Sequence, residues 1–351
     1  MTAPQNSAPD LKTKLPFWFL LAAFSTFFAE VFSGADMFPF FHAWGLLVVV
    51  PLYGLHILVL AHLVYRAPRP RFPSLIFAGM LFGLYEAYLT KILWSPTWEE
   101  ALLLGGVAPI ETLVLVLWWH AWFSFLIPLL IAENLLTRSR ALGQSLPGAV
   151  GRLLNSRRGL VGLVIFGGVF QSINSPSADQ SLLSGLSTTA VLLGLVLVWQ
   201  RVTRDRTYTM PELLPDKKEF RLLLIPTALL YLIMGVVMRP EAVPGLVGQG
   251  LIWLLYALSF FLLWQSLKPG SKPQNGPRTP VSEKFPDGFW LVLAGVFPLA
   301  AVSGELLLAP VAEPLALASW FGGILFSLIM FARAVQLTFQ KPSPSKKENY
   351  V

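Results

Sequence analysis

Seven polar side chains stand within otherwise apolar stretches: Glu30, Glu86, Lys91, Glu111, Gln171, Asn174 and Glu305. A charge in the hydrocarbon region of a bilayer is costly unless it is paired, wet or neutralised, so each is a candidate for binding a proton, a cation or a cationic solute. Helical spacing sorts them, because residues at i, i+4 and i+7 share a face. Thr26, Glu30 and Ser33 form one stripe. Gly79, Gly83, Glu86 and Thr90 form a second, whose GxxxG pair lets a neighbouring helix come close. Gly167, Gln171 and Asn174 repeat the small-then-polar pattern. Lys91 follows Glu86 at about 140° around a helix, so its partner is expected on another segment, with Glu30 or Glu111 the candidates.

The four histidines are His42, His56, His62 and His120. His56 and His120 fall near the middle of apolar runs, but no HExxH motif accompanies them, and no metal or other cofactor is expected. Glu111, Trp118 and Trp122 share a face that suits a cationic or ring-bearing ligand, or simple aromatic packing. Pro128 and Pro298 lie inside apolar runs, where a proline kinks a helix and frees carbonyls. Cysteine is absent, which removes disulfides, thiolate nucleophiles and Cys-based metal sites. Neither a Walker A loop, a Rossmann glycine fingerprint nor a GxSxG elbow is present.

These residues are carried by a chain of 351 residues that is 55% hydrophobic and only 13% charged, the composition of a membrane protein. Ten runs are long enough, or nearly so, to cross a bilayer: 15–33, 43–65, 73–94, 111–136, 159–175, 181–200, 222–238, 245–266, 288–308 and 315–338. The runs at 159–175 and 222–238 are the short ones. Segment 101–136 would span about 54 Å as one helix, so Gly105, Gly106 and Pro109 are expected to break it, leaving 101–110 as a re-entrant or interfacial piece. Of 26 Lys and Arg residues, 23 fall in alternate connections, with only Lys91, Arg239 and Arg333 elsewhere. Basic residues are retained in the cytoplasm, which places both termini there. The expected fold is an all-α integral membrane protein, a bundle of about ten transmembrane helices. Residues 1–14 form a cytoplasmic tail and 15–338 a single transmembrane domain with long cytoplasmic loops at 137–158, 201–221 and 267–287. Residues 339–351 form a disordered tail.

AEVFSG at 29–34 and GLYEAYLTKILWSP at 83–96 resemble segments of a family of uncharacterised multi-pass membrane proteins of bacteria and archaea. Glu30, Ser33, Gly34, Gly83 and Glu86 match its pattern, whereas Tyr85 stands where many members have a second acid. The likeness covers the first hundred residues and implies no activity. Glu99–Glu100, followed by His120 and Glu133–Asn134, is loosely similar in order to the intramembrane CAAX-type proteases, but Leu104 replaces their arginine.

With the basic connections inside, Glu30, Glu86, Lys91, Glu111, Gln171, Asn174 and Glu305 all fall at the outer level, which suggests one outward-open polar pocket. The first functional expectation is a secondary transporter or permease. A membrane-embedded enzyme acting on a lipid or lipid-linked substrate, and an accessory subunit of a larger membrane complex, are the alternatives. The expected partners are a small solute or ion and the anionic headgroups of the cytoplasmic leaflet. The net charge of +7 follows from the uneven placement of bases and needs no nucleic acid.

Overall fold

The computed structural model describes residues 9–66, 70–96, 101–204, 206–268 and 288–340, with the side chains of residues 309 and 313 left aside. The Glu99–Glu100 pair and most of the loop at 267–287 and the tail at 339–351 lie outside the described residues. Every apolar run is a helix. In chain order these are α1 (Leu11–Val31), α2 (Gly45–Val64), α3 (Phe72–Tyr88), α4 (Pro109–Leu136), α5 (Arg157–Ile173), α6 (Ala178–Thr203), α7 (Lys217–Val237), α8 (Leu246–Leu267), α9 (Phe289–Leu308) and α10 (Ala312–Phe339). No β-strand appears among the described residues, apart from one isolated bridge. Polar side chains start several helices by accepting from otherwise unpaired N–H groups. Asp10 caps α1, Ser156 caps α5, Ser177 caps α6 and Asp216 caps α7.

Eight of these helices are long and apolar enough to cross a membrane, and α5 makes a ninth if it is counted with Gly148–Leu154, from which it bends by 81°. The short element is α3, which ends at Tyr88 instead of continuing to 94 as the hydropathy suggested. Its helix is interrupted at Leu84, and the chain turns at Lys91, whose φ of 62° is left-handed. α7 is longer than its apolar run because the Asp216 cap draws Lys217 to Phe220 into its first turn.

The bundle has a buried centre and a greasy rim. α4 and α1 are 83% and 78% buried over their apolar windows, whereas α7 is 6% buried. α3 lies flat against α4 because Gly79 and Gly83 leave no room between them; a Cβ on either would come within 2.8 Å of the α4 backbone at Ala121 or Val116. α9 packs on α5 and α6, while α8 and α10 cover α3.

The two ends of the bundle differ in chemistry. At one end Lys14 pairs with Glu219 at 2.8 Å, Trp18 donates to the Leu213 carbonyl, His62 bonds the Pro215 carbonyl, and Arg71 donates to the Ser266 and Lys268 carbonyls. The described basic connections therefore gather together. Two of them are more than loops: Ala141–Ser145, Gly148–Leu154 and Met210–Leu213 are short helices, and Tyr208, Met210 and Leu213 are buried. Glu133, fully buried, accepts from the backbone N–H groups of Leu142 and Gly143, so it is a cap for the first of these helices. The opposite end joins Ser33 to Asn174, Met37 to Ser184, and the 90–95 segment to the end of α7.

At that opposite end, residues 101–110 form a tight reversal. Leu104 and Val107 exchange backbone hydrogen bonds across Gly105 and Gly106, which have φ of 61° and 82°, and α4 begins at Pro109. Gly106 sits against Pro244 and Gly248.

Candidate functional site

Glu30 lies in the last turns of α1, where the helix widens over Phe27–Val31 to i→i+5 hydrogen bonding, as the Phe32 N–H bond to the Phe27 carbonyl shows. α4 is widened in the same way over Leu113–Leu126, the stretch that carries His120. Such widened turns are rare and cluster at functional sites. The two are linked directly: the Trp119 indole donates to the Ala29 carbonyl at 2.9 Å, and the Ser25 hydroxyl to the Ser124 carbonyl at 2.5 Å.

Between them runs a continuous hydrogen-bonded chain. The Tyr53 hydroxyl of α2 donates to Glu30 Oε1 at 2.6 Å. It lies 2.7 Å from the hydroxyl of Tyr85, which is 3.4 Å from His120 Nε2. His120 Nε2 in turn meets Glu86 Oε1 at 2.8 Å, and its Nδ1 meets the Ser124 hydroxyl at 2.6 Å. The Thr90 hydroxyl donates to the other oxygen of Glu86. Two carboxylates, two phenols and an imidazole on four helices are thereby joined. Glu30 is half-buried, while Tyr53, Tyr85, Glu86 and His120 are each no more than 5% exposed. The chain thus has a wetter end and a dry one.

The surroundings keep water away from the dry end. The fully buried ring of Phe82 packs against Tyr53, His56, Tyr85 and His120 with centroids between 5.3 and 6.3 Å apart. His56 bonds the Leu52 carbonyl through Nδ1 and the Tyr231 hydroxyl, at 3.0 Å, through Nε2. The proton order along the chain follows from what each group can do. With Glu30 ionised, Tyr53 donates to it and accepts from Tyr85. With His120 neutral and protonated on Nε2, the imidazole donates toward Glu86 and its Nδ1 accepts from Ser124.

The seven residues singled out by sequence divide into separate places, which corrects the expectation of a single pocket. Glu30 and Glu86 come together. Lys91 pairs with neither Glu30 nor Glu111; its fully buried ammonium donates to the Met234 and Gly235 carbonyls at 2.9 and 3.0 Å in the last turn of α7, where the Met234 carbonyl also accepts from the Met238 N–H. Glu111 is buried in the first turn of α4, about 13 Å along the helix from His120. Gln171 donates to the Ser184 hydroxyl, which donates to the Met37 carbonyl, so it ties α5 to α6 and to the segment after α1. Asn174 donates to the Ser33 carbonyl at 2.6 Å. Glu305 lines a cleft among α5, α9 and α10. The aromatic face of α4 is packing: Trp118 and Trp122 lie against Phe326 of α10.

Sequence reasoning passed over Tyr53 and Ser124 and took Tyr85 for a departure from an acidic pattern. One signal was available, since Tyr53 and His56 are three residues apart in an apolar helix and so share a face. Among the described residues no group of three or more His, Cys, Asp or Glu side chains is placed to hold a metal ion.

A protein family described as an uncharacterized membrane protein family matches residues 19–341. The chain belongs to this family. The match takes in every residue of the hydrogen-bonded chain, from Glu30 to Ser124, and runs well past the first hundred residues that carried the resemblance. An uncharacterized protein of Archaeoglobus fulgidus is 33% identical over 262 residues, covering 74% of this chain and 81% of its own length. No solved structure matches the chain. Membership in the family establishes a membrane protein with multiple spans and brings no activity with it.

Proposed function

We propose that the protein is a secondary transporter whose transported ion is the proton, carried by Glu30, Tyr53, Tyr85, His120 and Glu86. The observation that supports this is the 2.7 Å contact between the Tyr53 and Tyr85 hydroxyls, because it joins a half-buried carboxylate to a buried carboxylate–imidazole pair. Each member can both give and receive a proton, and chains of Asp, Glu and His within transmembrane helices mark proton pathways. With the basic end of the bundle in the cytoplasm, Glu30 lies toward the outer side, where protons enter. A proton arriving at Glu30 reverses the donor direction of Tyr53 and Tyr85, so that Tyr85 delivers a proton to His120 Nε2 as that nitrogen passes its own to Glu86, which ends neutral while Glu30 returns to its ionised form. The groups touch one another directly, so a proton fits this site and a larger solute does not.

The test is reconstitution of the purified protein into liposomes containing a pH-sensitive dye, with an imposed pH gradient and a potassium gradient clamped by valinomycin. The wild type is expected to dissipate the pH gradient faster than protein-free liposomes, and Glu86→Gln and Tyr85→Phe to fall to the protein-free rate. Equal rates for the wild type and both variants, each shown to be folded, overturn the proposal.

A further inference from the structure

A second polar place lies away from this chain, at the end of the bundle that holds Asn174. Glu305 and Gly304 of α9, Val169, Ser172 and Ile173 of α5, Ser175 just beyond it, and Leu315 of α10 enclose a half-open cleft of about 180 Å³. The two helices can approach here because residue 304 is glycine; a Cβ would come 2.4 Å from the Ser172 hydroxyl oxygen. The donors in the lining are already used. Ser172 donates its hydroxyl proton to the Val169 carbonyl at 2.7 Å, and Ser175 donates its own to the Ser177 carbonyl at 2.9 Å. Their oxygens keep lone pairs, and the Glu305 carboxylate when ionised only accepts. The polar part of the cleft thus offers acceptors and a negative charge, while Val169, Ile173, Leu308 and Leu315 supply an apolar wall.

We propose that this cleft binds a primary ammonium group, from a free amine or from the headgroup of an aminophospholipid whose chains lie along α9 and α10. A primary ammonium brings three N–H donors and a positive charge, which complements one carboxylate and two hydroxyl oxygens. A trimethylammonium brings the charge without the donors, and a phosphate or carboxylate is repelled by Glu305. Exposed Leu306, Leu307 and Phe321 on the flanking helices provide the apolar surface that acyl chains would cover.

The experiment uses the full-length protein in detergent and measures binding of ethanolamine, of dioctanoyl phosphatidylethanolamine and of dioctanoyl phosphatidylcholine by titration calorimetry. Phosphatidylethanolamine is expected to bind at least tenfold more tightly than phosphatidylcholine, and Glu305→Gln to remove that preference. Ethanolamine binding with an affinity close to that of its lipid assigns the site to a free amine; weak ethanolamine binding beside tight lipid binding assigns it to the membrane. Ser172→Ala, which keeps the carboxylate and the close helix approach, is expected to narrow the preference and serves if Glu305→Gln fails to fold. Equal affinity for the two lipids in the wild type overturns the proposal. Proton flux through the Glu86–His120 chain is expected to survive Glu305→Gln, so failure here is distinguishable from failure of the proton pathway.

Discussion

The hydroxyl oxygens of Tyr53 on α2 and Tyr85 on α3 lie 2.7 Å apart, and through them a carboxylate on α1 is joined to a histidine on α4. Neither tyrosine is ionised in an apolar interior at neutral pH, so the pair acts as a neutral bridge whose direction depends on which end holds the extra proton. Tyr85→Phe removes the bridge and leaves the aromatic packing. It is expected to cost about 1–3 kcal/mol, because partners buried with Tyr85 lose a hydrogen bond. Denaturant unfolding in detergent checks the cost; a variant as stable as the wild type places the bridge outside the stabilising network.

Helix separation decides whether Glu86 meets His120 at all. A methyl at residue 79 would stand 2.7 Å from Ala121 Cα and one at residue 83 would stand 2.8 Å from Val116 Cα, both backbone atoms that cannot swing aside. Gly79→Ala and Gly83→Ala are expected to destabilise by about 1–3 kcal/mol each through overpacking and to lose proton flux. Gly194→Ala in α6 meets nothing within 4 Å and is expected to gain up to about 1 kcal/mol from helix propensity. Thermal unfolding of the three variants side by side separates the two behaviours, and equal shifts for all three count against a close α3–α4 contact.

Lys91 and Arg239 brace each other's segments. Each adopts a left-handed backbone conformation, Lys91 bonding carbonyls at the end of α7 and Arg239 bonding the Thr90 carbonyl and both oxygens of Ser95. Lys91→Met leaves two carbonyls without their charged donor and is expected to cost about 2–3 kcal/mol. Faster amide exchange is expected in the 234–243 segment and in the 88–96 segment alike. Exchange that rises on one side alone argues against the mutual brace.

Asp216 predicts a pH response at the basic end. Hydrogen bonds from the Glu219 and Lys218 backbone N–H groups hold its carboxyl below the usual aspartate range, with Lys14 and Lys218 adding favourable charge. A lowered carboxyl contributes stability that is complete above the unfolded value and is lost as the pH falls through the folded one. The cap is therefore expected to hold at pH 7 and to weaken below about pH 4. Amide exchange of residues 217–220 measured from pH 7 to pH 3, corrected for intrinsic rates, should show protection falling at the acid end. Protection lost equally in Asp216→Ala at pH 7 supports the cap, while protection unchanged in that variant refutes it.

The amino-acid sequence by itself determined the membrane class, the helical runs and the segregation of bases. These follow from composition and from periodicity along one strand of chain, which hydrophobic burial reads residue by residue. It also marked Glu30 and Glu86, because a charge in an apolar run stands out, and the Gly79–Gly83 pair, because small residues four apart announce a close neighbour. Which charges meet was decided only by tertiary structure. Tyr53, Tyr85 and His120 look like ordinary aromatic residues of apolar helices, and their hydrogen-bond chain exists only once four helices stand side by side. Lys91 misled for the same reason in reverse: its partners are backbone carbonyls at the end of α7, and a backbone carbonyl has no letter in the sequence.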